Sequence, residues 1–301
     1  MLLVAGFFLT GQLVLFLGPL AGLLLMTPPR TRREWLWAAI MLAGFAASLA
    51  GPQSIDMQII RVTAISFAVG VMIVTHLRIA SLFNRAAIAA TAATIGTIAW
   101  FTSMGLHYTA LRDELLTSGW DAYRTLFTDL PATLPPADSA LASTASAAAT
   151  FSAQLAQWLR LVVEFYPGLL IVSGLVGAWL AWIWYVRIVR TSLVPPPRPF
   201  REFTFNDHLI WAPLAAGALA LFVHGPLADL ATGNALFVFG IVYSARGLAV
   251  TLTAVHAAPA GFKAVLLVIS VFMLPLFLVV GVADTWVDFR RRMAPPNGVS
   301  S

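Results

Sequence analysis

The stretch Asn234-Ala235-Leu236-Phe237-Val238-Phe239-Gly240-Ile241-Val242-Tyr243-Ser244-Ala245-Arg246-Gly247-Leu248-Ala249-Val250-Thr251-Leu252-Thr253-Ala254-Val255 is an apolar run broken by one charge. A helix of about 20 residues crosses the ~30 Å hydrocarbon core of a bilayer, and this run is long enough. An arginine at membrane depth is costly, so Arg246 calls for an acid, a carbonyl or water beside it.

The rest of the chain has the same character. Of its 301 residues 59% are hydrophobic and 10% charged, with a mean hydropathy of +0.85. Soluble domains carry about 25% charged residues. A water-soluble core could not hide this much apolar surface, which excludes a soluble enzyme, a disordered chain and a fibrous protein. The absence of cysteine removes disulfides, thiolate metal sites and cysteine nucleophiles. The net charge of +5 comes from 17 arginines and Lys263 against 13 acids. These basic residues lie at the ends of apolar runs, where they set membrane orientation, so the high pI does not indicate nucleic acid.

Seven more runs resemble the first: Leu2 to Met26, Trp35 to Ala50, Met57 to Leu77, Ala86 to Leu106, Gly168 to Ile188, His208 to Val223, and Phe262 to Val282. The expected fold is all-α and polytopic, with about eight transmembrane helices. The first run lacks a basic n-region and ends in Thr27-Pro28-Pro29, a poor cleavage site, so it reads as a span and not as a cleaved signal. Residues 111–150 read as a loop with a short helix, because they hold five acids, Pro131, Pro135, Pro136 and an Ala/Ser/Thr tract. Phe151, Leu155, Trp158, Leu159, Val162 and Phe165 then recur at helical spacing between Gln154, Gln157, Arg160 and Glu164. This pattern predicts an amphipathic helix at the membrane interface. Val194-Pro195-Pro196-Pro197-Arg198-Pro199 is a stiff connection dividing a five-span part, 1–193, from a three-span part, 194–301.

Ten basic residues fall in one set of loops (Arg30, Arg32, Arg33, Arg78, Arg85, Arg187, Arg190, Arg198, Arg201 and Lys263) and two, Arg112 and Arg124, in the other. The first set is therefore expected in the cytoplasm of a cell inner membrane and the loop 111–150 outside it. Eight spans from an outside N-terminus would carry Arg290-Arg291-Arg292 outside as well, against the same rule, so one run is expected to be re-entrant. The short second run and the Arg246 run are the suspects.

Arg246 pairs on this reading with Asp284 or Asp288, or contacts an anionic ligand. Simple antiparallel packing of the last two runs would place Asp284 opposite Asn234, about 18 Å of helix from Arg246. A direct pair thus predicts a break in the seventh run near Ser244. Asn234, Arg246 and Asp284 are the candidate ligand-binding residues. The five histidines lie near helix ends with no two at i, i+3 or i+4, so neither a metal nor a cofactor is expected. Gly18-x-x-x-Gly22, Gly174 and Gly177 have the spacing of close helix contacts, and Pro19, Pro213 and Pro275 should kink or break their helices. No nucleotide loop, nucleophile elbow or paired intramembrane aspartate points to catalysis.

The segments Pro199-Phe200-Arg201-Glu202-Phe203, Gly233-Asn234-Ala235-Leu236, Tyr243-Ser244-Ala245-Arg246-Gly247-Leu248-Ala249-Val250 and Gly281-Val282-Ala283-Asp284-Thr285-Trp286-Val287-Asp288-Phe289-Arg290 together resemble the YybS-like family of bacterial membrane proteins, a domain of unknown function. The match covers about residues 199–292. Elsewhere it rests on hydropathy and helix number. The resemblance implies a further helix ahead of the equivalent of Leu13 to Met26. By distant similarity it also implies kinship with the substrate-binding S components of energy-coupling-factor transporters, which bind a small solute and work with a membrane coupling subunit and ATPase subunits. Two functions stand on the sequence. One is a non-enzymatic solute-binding or transport component. The other is a structural or regulatory subunit that packs against other membrane proteins and moves nothing. In both, the lipid bilayer is the first partner and nucleic acid is none.

Overall fold

The computed structural model describes residues 2–50, 54–77, 81–106, 108–128, 150, 153–255 and 258–293. Among these every regular element is helical: α1 (Leu2–Met26), α2 (Arg32–Leu49), α3 (Ile55–His76), α4 (Leu82–Ser103), α5 (Tyr108–Thr128), α6 (153–164), α7 (Tyr166–Ile188), α8 (Trp211–Phe222), α9 (Pro226–Ala254), α10 (Ala260–Phe272), α11 (Leu274–Val287) and α12 (Phe289–Met293). Two short 3-10 turns, Phe200–Glu202 and Asp207–Ile210, precede α8. The chain forms two compact units, Met1–Pro195 and Pro196–Ser301.

By length and composition α3, α4, α7 and α9 can each cross a membrane, and α10 with α11 makes a fifth if that bent pair is one span. Among the described residues, helix length and composition thus carry four or five of the eight expected spans. The second run lies in α2, whose first turn spends three positions on Arg32, Arg33 and Glu34. The sixth lies in the short apolar stretch Asp207–Phe222.

In the N-terminal unit, α1, α3, α4 and α7 share one core built on Leu15, Leu20, Leu23, Phe67, Val71 and Tyr185. Lipid tails are as apolar as these side chains, so helices in a bilayer associate through close packing, which small residues permit. The glycines serve that purpose inside the chain. A Cβ on Gly177 would lie 2.7 Å from the Leu15 carbonyl oxygen, and one on Gly18 3.2 Å from that of Ala64. Gly174 faces Ala90 in the same manner.

One end of this unit is tied by polar groups. Thr31 caps α2, its Oγ1 accepting from the Glu34 N–H, while Glu34 Oε2 accepts from the N–H groups of Thr31 (3.1 Å) and Arg30 (2.6 Å). Glu34 Oε1 accepts from the Arg190 N–H at 3.0 Å, just past the end of α7. Beside it the Tyr185 hydroxyl meets Thr27 Oγ1 at 2.6 Å and accepts from the Leu193 N–H at 3.0 Å. The N–H donors of Arg30 and then Arg190 hold the Glu34 carboxyl below its ordinary value of 4.5, against the opposing effect of burial.

Residues 111–150, expected as a loop with a short helix, contribute most of a 21-residue helix, α5. Its Leu111 and Leu115, one turn apart, are buried with Ile59, Phe101, Val163 and Tyr166, and Leu159 of α6 packs over Gly119. Tertiary burial of that stripe outweighs a composition that reads as a loop. The remainder of that loop, 129–149, lies outside the described residues. Val163 is the buried member of α6, and Trp158, predicted for its apolar stripe, is exposed.

Two outcomes follow. Gly177→Ala should lower the thermal stability of the purified protein by about 1–3 kcal/mol, the usual cost of overpacking. Gly96→Ala, inside α4 where a Cβ meets nothing within 4 Å, should not lower it and should raise it by up to about 1 kcal/mol through helix propensity. A lowered carboxyl pKa stabilises the fold above its unfolded value, and that contribution is lost as the pH falls through the folded one. The stability gap between wild type and Glu34→Gln should thus be constant near neutral pH and close as the pH drops below 4.5. Thermal melts across that range measure it.

Candidate functional site

The C-terminal unit is organised by the crossing of α9 and α11. A Cβ on Gly247 would fall on the Phe277 carbonyl oxygen, and a Cβ on Gly281 on that of Tyr243. The two helices therefore touch backbone to backbone, which two glycines alone allow. Ser244 Oγ donates to the Leu274 carbonyl at 3.1 Å across the same contact.

α9 is continuous from Pro226 to Ala254, so the break predicted near Ser244 does not occur. Gly247 keeps its place in the helix and costs only the weak propensity penalty of glycine. The break lies in the eighth run instead. The axes of Ala260–Ile269 and Leu274–Val287 differ by 103°, with Met273 between them. Pro275, in the first turn of α11, has no N–H to continue the helix from α10 and disfavours helical geometry before it. Pro19 is carried inside α1, and Pro213 falls in the first turn of α8, where a missing N–H costs nothing.

The break overturns the register that would have set Asp284 opposite Asn234. With α11 crossing α9 at the glycines, Asp284 reaches Arg246. Its Oδ2 accepts from Nε at 2.9 Å and its backbone oxygen from Nη2 at 3.3 Å. The Arg246 Nη1 donates to Asp207 Oδ1 at 2.7 Å, and the guanidinium lies 5.2 Å from the centre of the Phe205 ring. The Phe205 ring in turn meets Tyr243 edge to face. The side chains of Arg246 and Asp284 are 6% and 3% exposed and that of Asp207 is 62% exposed, so the cluster is sealed at one end and open at the other.

Asp284 does a second task. Its Oδ1 accepts from the Phe289 N–H at 3.1 Å, and its carbonyl accepts from the N–H of Asp288, which takes the left-handed conformation that ends α11. That turn brings in Arg290, whose Nη2 donates to the Phe203 carbonyl at 2.9 Å and approaches the Arg246 carbonyl at 3.5 Å. Burial pushes the Arg290 guanidinium below its ordinary value, and the Asp284 carboxylate opposes this.

Of the three predicted site residues the structure brings two together. Asn234 is buried, and its amide nitrogen donates to the Leu230 carbonyl of its own helix, three turns from Arg246. Asp288, the other predicted partner, ends α11 and does not pair with Arg246. Asp207, Phe205, Arg290 and Gly281 were missed. One signal was available: an arginine beside a glycine in one run and a glycine three residues before an aspartate in the next. Among the described residues no group of three or more His, Asp or Glu side chains is placed to hold a metal ion.

The helices and this buried ionic cluster define a multi-pass, all-helical membrane protein. Residues 1–285 match the family described as "Predicted membrane protein (DUF2232)", and the chain belongs to that family. No curated protein and no solved structure shows significant similarity to it.

Removing one partner of a buried pair strands the other's charge and costs about 3–5 kcal/mol, whereas apolar replacement of both is far better tolerated. Arg246→Met and Asp284→Leu should each destabilise the purified protein by about that much. The double variant should recover more than half of the summed loss, as read from a double-mutant cycle of thermal melts.

Proposed function

We propose that this protein is a non-enzymatic component of a membrane assembly, and that its C-terminal unit is an ion-paired packing module and not the seat of a ligand. The engagement of Arg246 carries the reading. Its guanidinium is hydrogen-bonded by Asp284 and Asp207 and covered by Phe205, all from the same unit. A contact for an anionic solute would keep donors turned toward a cavity. Here two carboxylates of the chain occupy that place.

α9, at 29 residues, extends about 43 Å, some 13 Å more than the hydrocarbon core needs. Arg246 lies eight residues, about 12 Å, from its C-terminal end. With the surplus length at that end, the cluster sits at the membrane boundary, where the exposed Asp207 meets water. On this reading the basic loops face the cytoplasm of a bacterial inner membrane, and α6 lies along the opposite interface.

A second reading is a solute-binding or transport component similar to energy-coupling-factor S components. The discontinuous pair α10 and α11 favours it, since broken helices line substrate sites in many transporters. On that reading the solute is held away from Arg246, nearer the buried Asn234 and Thr232.

Native mass spectrometry on protein extracted in mild detergent separates the two. The packing reading expects a stoichiometric membrane partner and no bound solute. A small molecule released on denaturation, and lost in Asn234→Ala while Arg246→Lys retains it, would overturn it in favour of the second.

A further inference from the structure

The last turn of α9 and the turn after α11 dock on the same short segment. Thr253 Oγ1 donates to the Arg201 carbonyl at 3.0 Å, and Arg290 Nη2 to the Phe203 carbonyl at 2.9 Å. Arg201 and Phe203 are two residues apart, at most about 7 Å of extended chain. The chain between Thr253 and Arg290, with all of α10 and α11, thus starts and finishes at one end of the C-terminal unit. A membrane-spanning segment would have delivered it to the other. The Arg246 contacts to Asp207 and Asp284 place the head of α8 and the tail of α11 at that same end.

We propose that α10 and α11 form a re-entrant hairpin that dips into the bilayer and returns on the cytoplasmic side, with Met273 at its turning point. The dimensions agree. The two arms, of 13 and 14 residues, are about 20 and 21 Å long. Bent by 103° with both ends in one plane, they reach a depth of about 16 Å, half of the ~30 Å core. Phe262, Val265, Val268 and Phe272 of α10 are exposed, and the acyl chains of that leaflet cover them. The charges agree as well. Arg198, Arg201, Lys263, Arg290, Arg291 and Arg292 are gathered at the end where the hairpin enters and leaves. The turn Val223-His224-Gly225 at the far end of α8 and α9 has no lysine or arginine. Basic residues concentrate on the cytoplasmic side, so this end faces the cytoplasm, in contact with anionic headgroups. The hairpin also removes the conflict that a straight eighth span would create by exporting three consecutive arginines.

The hairpin stands independently of the packing or transport role. The native chain has no cysteine, so single-cysteine variants are directly usable. Gly261→Cys, Arg292→Cys and His224→Cys, all at exposed positions, are treated with a membrane-impermeant maleimide in right-side-out and inside-out vesicles. Gly261→Cys and Arg292→Cys should both react only in inside-out vesicles, and His224→Cys only in right-side-out ones. Reaction of Gly261→Cys and Arg292→Cys from opposite faces would make the pair a span and overturn the proposal. So would reaction of either from the same face as His224→Cys, or silence of Arg292→Cys in protein that labels after denaturation. A reporter fused after Ser301 gives a second reading that needs no substitution, with a cytoplasmic signal expected and a periplasmic one overturning it.

Discussion

A guanidinium in the wall of an apolar helix bundle is tolerated only where carboxylates come to it, and here they come because two helix backbones touch. Gly247 and Gly281 remove the side chains that would keep α9 and α11 apart. At the resulting separation Asp284 lies within 2.9 Å of Arg246 Nε. Three further features of the C-terminal unit are arranged around that contact. The end of α11 is closed by the same Asp284, the returning chain is held by Arg290, and the segment ahead of α8 is drawn in through Asp207 and Phe205.

The cluster is built for retention and not for turnover. The charges of Arg246 and Asp284 are matched by groups of the same unit, as low-dielectric surroundings require, since an unpaired ion there is penalised heavily. Its asymmetry matters too. Asp284 is sealed and already committed to two backbone N–H or guanidinium partners, while Asp207 stands at the wet edge on a short 3-10 turn. The N-terminal unit meets the same problem differently. Its buried glutamate, Glu34, is satisfied by backbone N–H groups from the loop before α2 and the chain after α7, so that one carboxylate ties two chain segments.

Two of the corrections to the sequence reading concern where a helix runs and where it stops. The break belongs to the helix with Pro275 and not to the one with Arg246 and Gly247, because a missing N–H interrupts a helical ladder while a missing side chain does not. Tyr108–Thr128 is helical although acids punctuate it, because Leu111 and Leu115 find a buried surface that composition cannot reveal.

What the sequence determined by itself is the solvent and the class. Apolar runs of span length, basic residues at their ends and almost no interior charge commit the chain to helices in a bilayer, since local backbone satisfaction is the only economical solution there. It also marked Arg246 as the residue needing an explanation and Asp284 as a partner. What only the tertiary structure decided is how they meet. Asp207, Phe205 and Arg290 lie 39 to 44 positions from Arg246 along the chain. The glycine crossing that gathers them depends on the direction α11 takes after Met273. Hydropathy repeats every helical turn on both sides of such a bend and is blind to its angle. A 103° turn is therefore a tertiary fact, and with it the choice between a span and a hairpin.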